Sequence, residues 1–263
     1  MQNNPQSQNW LLSRVGYMSA SSLEKLGKPG AKFGDTALAY IYSIQRQRLT
    51  KVPDDQVSSK SMSIGTDNEP YAIDWLRENT DLKVLHCDND FTEKLFIKVP
   101  EIGFGTSPDA IVAPSDYMET ENIDFTTLSF EPKQLIEIKC IVGTGAKGKD
   151  WMFSPTVSYE KKRAAVFAEH NEQLIGQFIS MPTVESIILM KYLPQSDDNE
   201  FDYDSPLHER RGLLFTFTRE EMGMLINQWY ERIKFVNEYI DSWQDIDEIE
   251  KARLDSIKNG KMI

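Results

Sequence analysis

Two stretches decide how this chain reads: Ser107-Pro108-Asp109-Ala110-Ile111-Val112 and, with 27 residues between the two acids, Leu135-Ile136-Glu137-Ile138-Lys139-Cys140. Each is an apolar run with charge set into it. A β-strand turns alternate side chains to opposite faces, so Glu137 and Lys139 share one face while Ile136, Ile138 and Cys140 share the other. Burying a carboxylate and a lysine unpaired in such a strand would be costly. Asp109, from the neighbouring strand, supplies a partner, and two carboxylates converging at a strand edge make an oxygen-rich site for a hard cation such as Mg²⁺. The lysine then stands where it can orient an attacking water, and the cation stabilises charge developing on a phosphate. The residues leave a blander alternative open. A lone Glu-x-Lys in a strand more often belongs to a structural Asp–Lys–Glu network, and it is the Pro108-Asp109 turn upstream that narrows the difference.

Working outward, the hydrophobic spacing changes period along the chain. Ser21-Ser22-Leu23-Glu24 reads as a capping box with Ser21 as N-cap. Helical spacing covers Thr36 to Leu49, where Leu38, Ile41 and Ile44 fall near one face, and returns from Ile64 to Asn79, with Pro70 marking a first turn or a kink. The polar stretch from Thr50 to Ser61 reads as a loop. Strand patterns follow at Lys83 to Cys87, Leu95 to Val99, Ile102 to Val112 and Gln134 to Cys140. Lys161 to Ser180 is helical, Glu185 to Tyr192 and Gly212 to Thr218 are strands, and Arg219 to Trp243 is a long amphipathic helix with Met222, Leu225, Ile226, Trp229, Ile233 and Val236 as its stripe. Helices, a cluster of strands, then more of both predict an α/β fold with a central mixed β-sheet flanked by helices. One domain over 1–243 is expected, with 244–263 as an acidic tail or peripheral helix.

The 263 residues suffice for a full core. The formal net charge of −12 opposes phosphate binding at first sight. Ten of the acids, however, lie in two stretches free of Lys and Arg, 195–204 and 241–250. Lys147, Lys149, Lys161, Lys162 and Arg163 crowd a single segment that makes a basic groove feasible, Lys147 and Lys149 from a glycine-rich loop being the phosphate-contact candidates. The run Lys161-Lys162-Arg163 is equally readable as a solvated helix start. The loop Gly143-Thr144-Gly145-Ala146-Lys147-Gly148-Lys149 lacks the pattern of a nucleotide-binding phosphate loop. Two cysteines, Cys87 and Cys140, make neither a disulfide framework nor a four-thiolate metal or iron–sulfur site, and the spacing of the three histidines makes no zinc motif. No apolar run reaches membrane-spanning length. A reducing cytoplasm is the expected location.

The pattern Pro-Asp-x(27)-Glu-Ile-Lys resembles the PD-(D/E)xK nuclease signature, and its surroundings resemble the lambda-exonuclease (YqaJ-like) branch. Trp10-Leu11-Leu12-Ser13-Arg14-Val15-Gly16-Tyr17-Met18-Ser19-Ala20-Ser21 is similar to that branch's W-x-x-x-R-x-G-x-x-T/S-A-S opening. Gly65-Thr66-Asp67-Asn68-Glu69-Pro70 resembles its G-x-x-x-E-P helix. Ser107-Pro108-Asp109 and Glu137-Ile138-Lys139-Cys140 match its S-P-D and E-x-K-C, and Gln173 to Gln177 resembles its glutamine-bearing helix. Each motif alone is weak; the ordered set runs from about Trp10 to about Tyr239.

The resemblance implies a restriction-endonuclease-like core and a 5′→3′ exonuclease that digests one strand of linear double-stranded DNA from a 5′-phosphorylated end. It implies 3′ single-stranded tails handed to a single-strand annealing protein, a ring-shaped homotrimer, and Mg²⁺ with Mn²⁺ as substitute. It further implies that Asp109, Glu137 and the backbone carbonyl of Ile138 ligate the metal, that Glu69 helps hold it, and that Lys139 positions the water. Gln173, ahead of Gln177, would steady the lysine, and Arg14 and Ser21 would hold the 5′-phosphate. The glutamine helix departs from the family's Tyr-x-x-Gln-x-Gln, with His170 in the tyrosine position and glutamines four apart. Two other functions compete: a PD-(D/E)xK endonuclease, which needs no 5′-phosphate pocket, and a non-catalytic DNA-binding recombination module. Against the second stands the complete set Glu69, Asp109, Glu137 and Lys139, since idle buried charges drift to apolar residues.

Overall fold

The computed structural model describes residues 5–54, 60–118, 123–141, 149–193 and 212–243. The expected tail over 244–263, the acidic stretch 195–204, and the glycine-rich loop through Lys147 lie outside the described residues. In chain order the elements are α1 (Pro5–Ser13), β1 (Met18–Ser19), a 3₁₀ segment (Ala20–Leu26), α2 (Asp35–Thr50), α3 (Lys60–Asn79), β2 (Lys83–His86), β3 (Ile97–Val99), β4 (Phe104–Thr106), β5 (Ala110–Ala113), β6 (Gln134–Cys140), α4 (Lys149–Met152), α5 (Tyr159–Ser180), β7 (Ser186–Tyr192), β8 (Gly212–Thr218) and α6 (Arg219–Asp241).

A five-stranded sheet of order β2-β5-β6-β7-β8 forms the centre, mixed in direction: β6 runs parallel to β7 and the other neighbours are antiparallel. A parallel pair needs a crossover connection, and α5 lies in the one between β6 and β7. Alternation along β6 and β7 splits their side chains between two apolar layers. Leu135, Ile187 and Leu189 join the larger cluster with α5 and α6, whereas Ile136, Ile138, Ile188 and Met190 pack with Ala72, Ile73 and Leu76 of α3. Helices therefore cover both faces, as the sequence predicts.

Three expectations are corrected. The single strand expected over Ile102 to Val112 is two strands in two sheets, because β4 pairs with β1 and β3 in a separate three-stranded sheet while β5 joins the central one. Ser107-Pro108-Asp109 makes the break, since proline has no N–H for a ladder, whereas the 3₁₀ turn at Pro100–Ile102, with Gly103 in the left-handed region (φ 57°), turns β3 back into β4. The capping box is absent: Ser21 lies inside the 3₁₀ segment, whose N-cap is Ser19 and carries no side-chain cap bond. Pro70 sits well inside α3 rather than in its first turn, because the helix starts at Lys60 and takes in the end of the stretch read as a loop.

The basic run also resolves. Lys162 is buried and donates to the Ser154 carbonyl (2.8 Å), while Arg163 donates to the Thr216 carbonyl (2.8 Å) and Glu221 (2.5 Å) and stacks on Phe217. These two cations hold α5 to its surroundings. Phe153 is likewise core.

Candidate active site

The central strand brings the charges together. Ala110 pairs with Ile136 across the antiparallel β5–β6 ladder, so one step further along Asp109 comes abreast of Glu137. There β5 ends, and the Asp109 side chain replaces it, with Oδ2 accepting a hydrogen bond from Ile138 N–H (2.6 Å). Both backbone groups of a strand residue point to one side, so the Ile138 carbonyl faces the gap beyond the end of β5. Glu137 is almost fully buried (1 % exposed), and its Oε1 takes hydrogen bonds from Lys139 Nζ (2.7 Å) and Gln173 Nε2 (2.6 Å). Its Oε2 accepts from Gln177 Nε2. Glu69, on α3, accepts from His86 Nε2 (2.9 Å), a buried imidazole at the end of β2.

Electrostatics follow from this crowding. Burial, then the charges of Glu137 and Glu69, push the Asp109 carboxyl well above its ordinary range, and Lys139 and the Ile138 N–H only partly oppose them. Burial pulls Lys139 down, but Glu137 and Asp109 outweigh it and leave the ammonium above its usual value. Both thiols are pushed up, chiefly by burial and further by Asp109 and Glu69; Cys140 reaches about 11, so neither is a thiolate nucleophile near neutral pH.

As they lie, no three His, Cys, Asp or Glu side chains among the described residues stand close enough to hold a metal. The donor chemistry nonetheless fits a hard divalent cation: Asp109, Glu137 and the Ile138 carbonyl offer oxygen alone, and the mutual repulsion that raises Asp109 is what a cation would relieve.

Beside Lys139 a cavity of about 230 Å³ opens between the 3₁₀ segment and α5, bordered by Ser21, Glu24, Glu169, His170, Glu172 and Gln173. Arg14 does not border it. It lines a separate hollow with Ser22, Lys25, Tyr40 and Gln47. Arg14 and Ser21, expected to grip one phosphate, thus stand on adjacent hollows, linked through the Ser19 and Ser21 hydroxyls (3.3 Å apart). Arg14 stacks on Trp10 (4.3 Å), whose indole N–H donates to Ser107 Oγ (3.1 Å) and ties the opening motif to the Ser-Pro-Asp turn. Gln173 reaches Glu137, not the lysine directly. Lys147 lies outside the described residues, and Lys149 begins α4 with its side chain outside them.

Three functional candidates escaped sequence reasoning. His86 anchors Glu69. Lys191 sits in register with Lys139 on β7 and donates to His170 Nε2 (2.7 Å) and Glu169 (3.3 Å). Lys25 shares the hollow of Arg14. Only Lys191 carried a signal, a charge within the apolar run of β7.

No protein-family model matches the chain, and no curated protein matches it. Solved structures do. An alkaline exonuclease (LHK-Exo) from Laribacter hongkongensis superposes with a TM-score of 0.56 at 19 % identity, covering 95 % of this chain and 98 % of that one. The chain has the fold of an exonuclease. The structure of LHK-Exo in complex with dAMP matches at 19 % identity with a TM-score of 0.54, over 95 % of this chain and 98 % of that chain. A phage-related exonuclease from Haemophilus somnus 129PT matches at 18 % identity and a TM-score of 0.54, over 86 % of this chain and 93 % of its own. These exonuclease-fold neighbours agree with the resemblance carried by the motifs.

Proposed function

We propose that the chain is a metal-dependent deoxyribonuclease of the lambda-exonuclease type, digesting one strand of linear duplex DNA 5′→3′ from a 5′-phosphorylated end. The observation that carries the reading is the group Asp109, Glu137 and Lys139 around the end of β5, with Gln173 on the same carboxylate. Asp109, Glu137 and the Ile138 carbonyl would hold Mg²⁺, or Mn²⁺ in its place, with Glu69 beside them. The ion supplies a Lewis acid for the scissile phosphate. Lys139, held as a cation by its carboxylates, orients the attacking water and lies beside the developing negative charge. The hollow of Arg14 and Lys25, with Asp54 as its one acid among the described residues, is the less acidic seat for a 5′-phosphate, because the Ser21 cavity is bordered by Glu24, Glu169 and Glu172. A cationic hollow joined through the Ser19 and Ser21 hydroxyls to the cavity beside Lys139 favours a reading in which strand ends are recognised. The exonuclease names of the structural neighbours support that reading over an endonuclease. A product with 3′ single-stranded tails, an annealing-protein partner and a homotrimeric ring belong to the same reading.

The test is digestion of linear duplex DNA with Mg²⁺, comparing 5′-phosphate, 5′-hydroxyl and closed-circular substrates, with Lys139→Ala alongside. Loss of the 5′-phosphorylated strand, spared circles, and a fall of at least about 100-fold in the variant are expected. Cleaved circles would make the protein an endonuclease. A folded, metal-supplied protein that cuts nothing would leave the non-catalytic binding module as the account.

A further inference from the structure

We propose that Gln177 is a positioning residue for the metal-binding carboxylate: together with Gln173 it holds both oxygens of Glu137 and so fixes the carboxylate plane. Gln173 and Gln177 are one helical turn apart on α5 and therefore on one face of the helix, and they reach different oxygens. Gln173 shares Oε1 with Lys139, and among the described residues Gln177 alone donates to Oε2. A carboxylate oxygen has two acceptor sites. Oε2, with a single donor, keeps one for a ligand, whereas Oε1 already has two.

A second observation separates this role from ordinary packing. Gln177 is fully buried, and its Oε1 has no hydrogen-bond partner, the one such buried side-chain atom among the described residues. Its helical neighbours Leu174, Phe178 and Ile179 are core residues. A methionine or leucine would fill this position without leaving an acceptor unsatisfied, an arrangement that native interiors rarely tolerate without a reason. The amide donor to Glu137 is the reason the geometry offers: the metal-free fold tolerates an orphan oxygen in exchange for a carboxylate held ready. Spacing the glutamines by two would put the second on another face of α5. Spacing them by four brings both to Glu137.

The inference rests on the metal-site reading above and is tested with divalent cations alone. Mn²⁺ binding would be measured by calorimetry on the wild type, Gln177→Met and Asp109→Asn, with thermal melts of each protein free of metal. The expected result for Gln177→Met is binding weaker by about 10- to 100-fold. Its metal-free melting temperature should stay within about 3 °C of wild type, because loss of the donor and loss of the orphan oppose each other. Hydrolysis should recover as Mn²⁺ is raised, a lower apparent affinity with little change in the saturated rate. Unchanged affinity with a large fall in melting temperature would overturn the positioning role and make Gln177 a packing residue. A wild type that takes up no Mn²⁺, indistinguishable from Asp109→Asn, would overturn the metal reading and the inference with it.

Discussion

Asp109 carries opposite consequences for stability and activity. Its carboxyl is buried beside two others and is pushed well above 3.8, so the metal-free fold holds a proton there that the unfolded chain releases above that value. The sign is therefore fixed. This contribution to metal-free stability grows as pH falls from the raised folded value toward 3.8, and it is lost as pH rises. Asp109→Asn removes the repulsion, and a melt without metal should show the variant at least as stable as the wild type, with any Mg²⁺-induced rise in melting temperature abolished. His170 has the reverse sign. Burial, then Lys191 and Lys139, lowers its imidazole from 6.5 to about 3. Between those values the unfolded chain binds a proton that the fold refuses, so stability falls as pH drops from 6.5 toward 3. An imidazole NMR titration should find His170 neutral from pH 8 to pH 5. An inflection near 6.5 in the folded protein would show that the Lys191 contact is not made in solution.

At the scale of the element, α5 sets the site because it is held tightly against the 3₁₀ segment. A Cβ on Gly176 would lie 2.7 Å from Ala20 Cβ and 2.8 Å from Ala20 Cα. Alanine is the better helix former by about 1 kcal/mol, yet the clash is with backbone that cannot swing aside. Gly176→Ala should therefore destabilise by about 1–3 kcal/mol, measured by urea unfolding, and should weaken divalent-cation binding because Gln173 and Gln177 shift with the helix. A gain in stability with unchanged cation binding would show that α5 has room to move. The far end of α5 is fastened by Arg219, which donates to the carbonyls of Phe178, Met181 and Val184, the first of them a group that a helix end leaves orphaned.

For the whole molecule, the end of α6 ties the chain back onto α2. Trp243 packs on Tyr42, its carbonyl accepts from Gln45, Asp241 pairs with Arg48, and Ile240 is fully buried. A chain ending after Glu238 loses Ile240 from the core, a change of about 2–5 kcal/mol, and should unfold at clearly lower urea than the full-length protein. An unchanged midpoint, read by circular dichroism, would show that the contacts of Ile240 and Trp243 add nothing to the fold.

Periodicity made the helices α2, α5 and α6 and the strands β6, β7 and β8 readable, because amphipathic spacing is a local property of the chain. The same logic exposed Asp109, Glu137 and Lys139, since charge inside an apolar strand has few outlets other than a site. It failed where the answer depended on contacts between distant segments. The run from Ile102 to Val112 has one composition but two sheets, and which sheet takes each half depends on pairing with Met18 and with Glu137's strand. Ser21 and Glu24 have the spacing of a capping box, yet the close packing of Ala20 on Gly176 goes with a 3₁₀ segment there. His86 reads as an ordinary strand residue, Lys191 shows only a charge in an apolar strand, and Gln177 is named by the resemblance without its partner; what each of them meets is fixed by β-register and the docking of α5. Sequence spacing says which face a side chain takes; what it meets on that face is set by register and helix packing, which are long-range and cooperative.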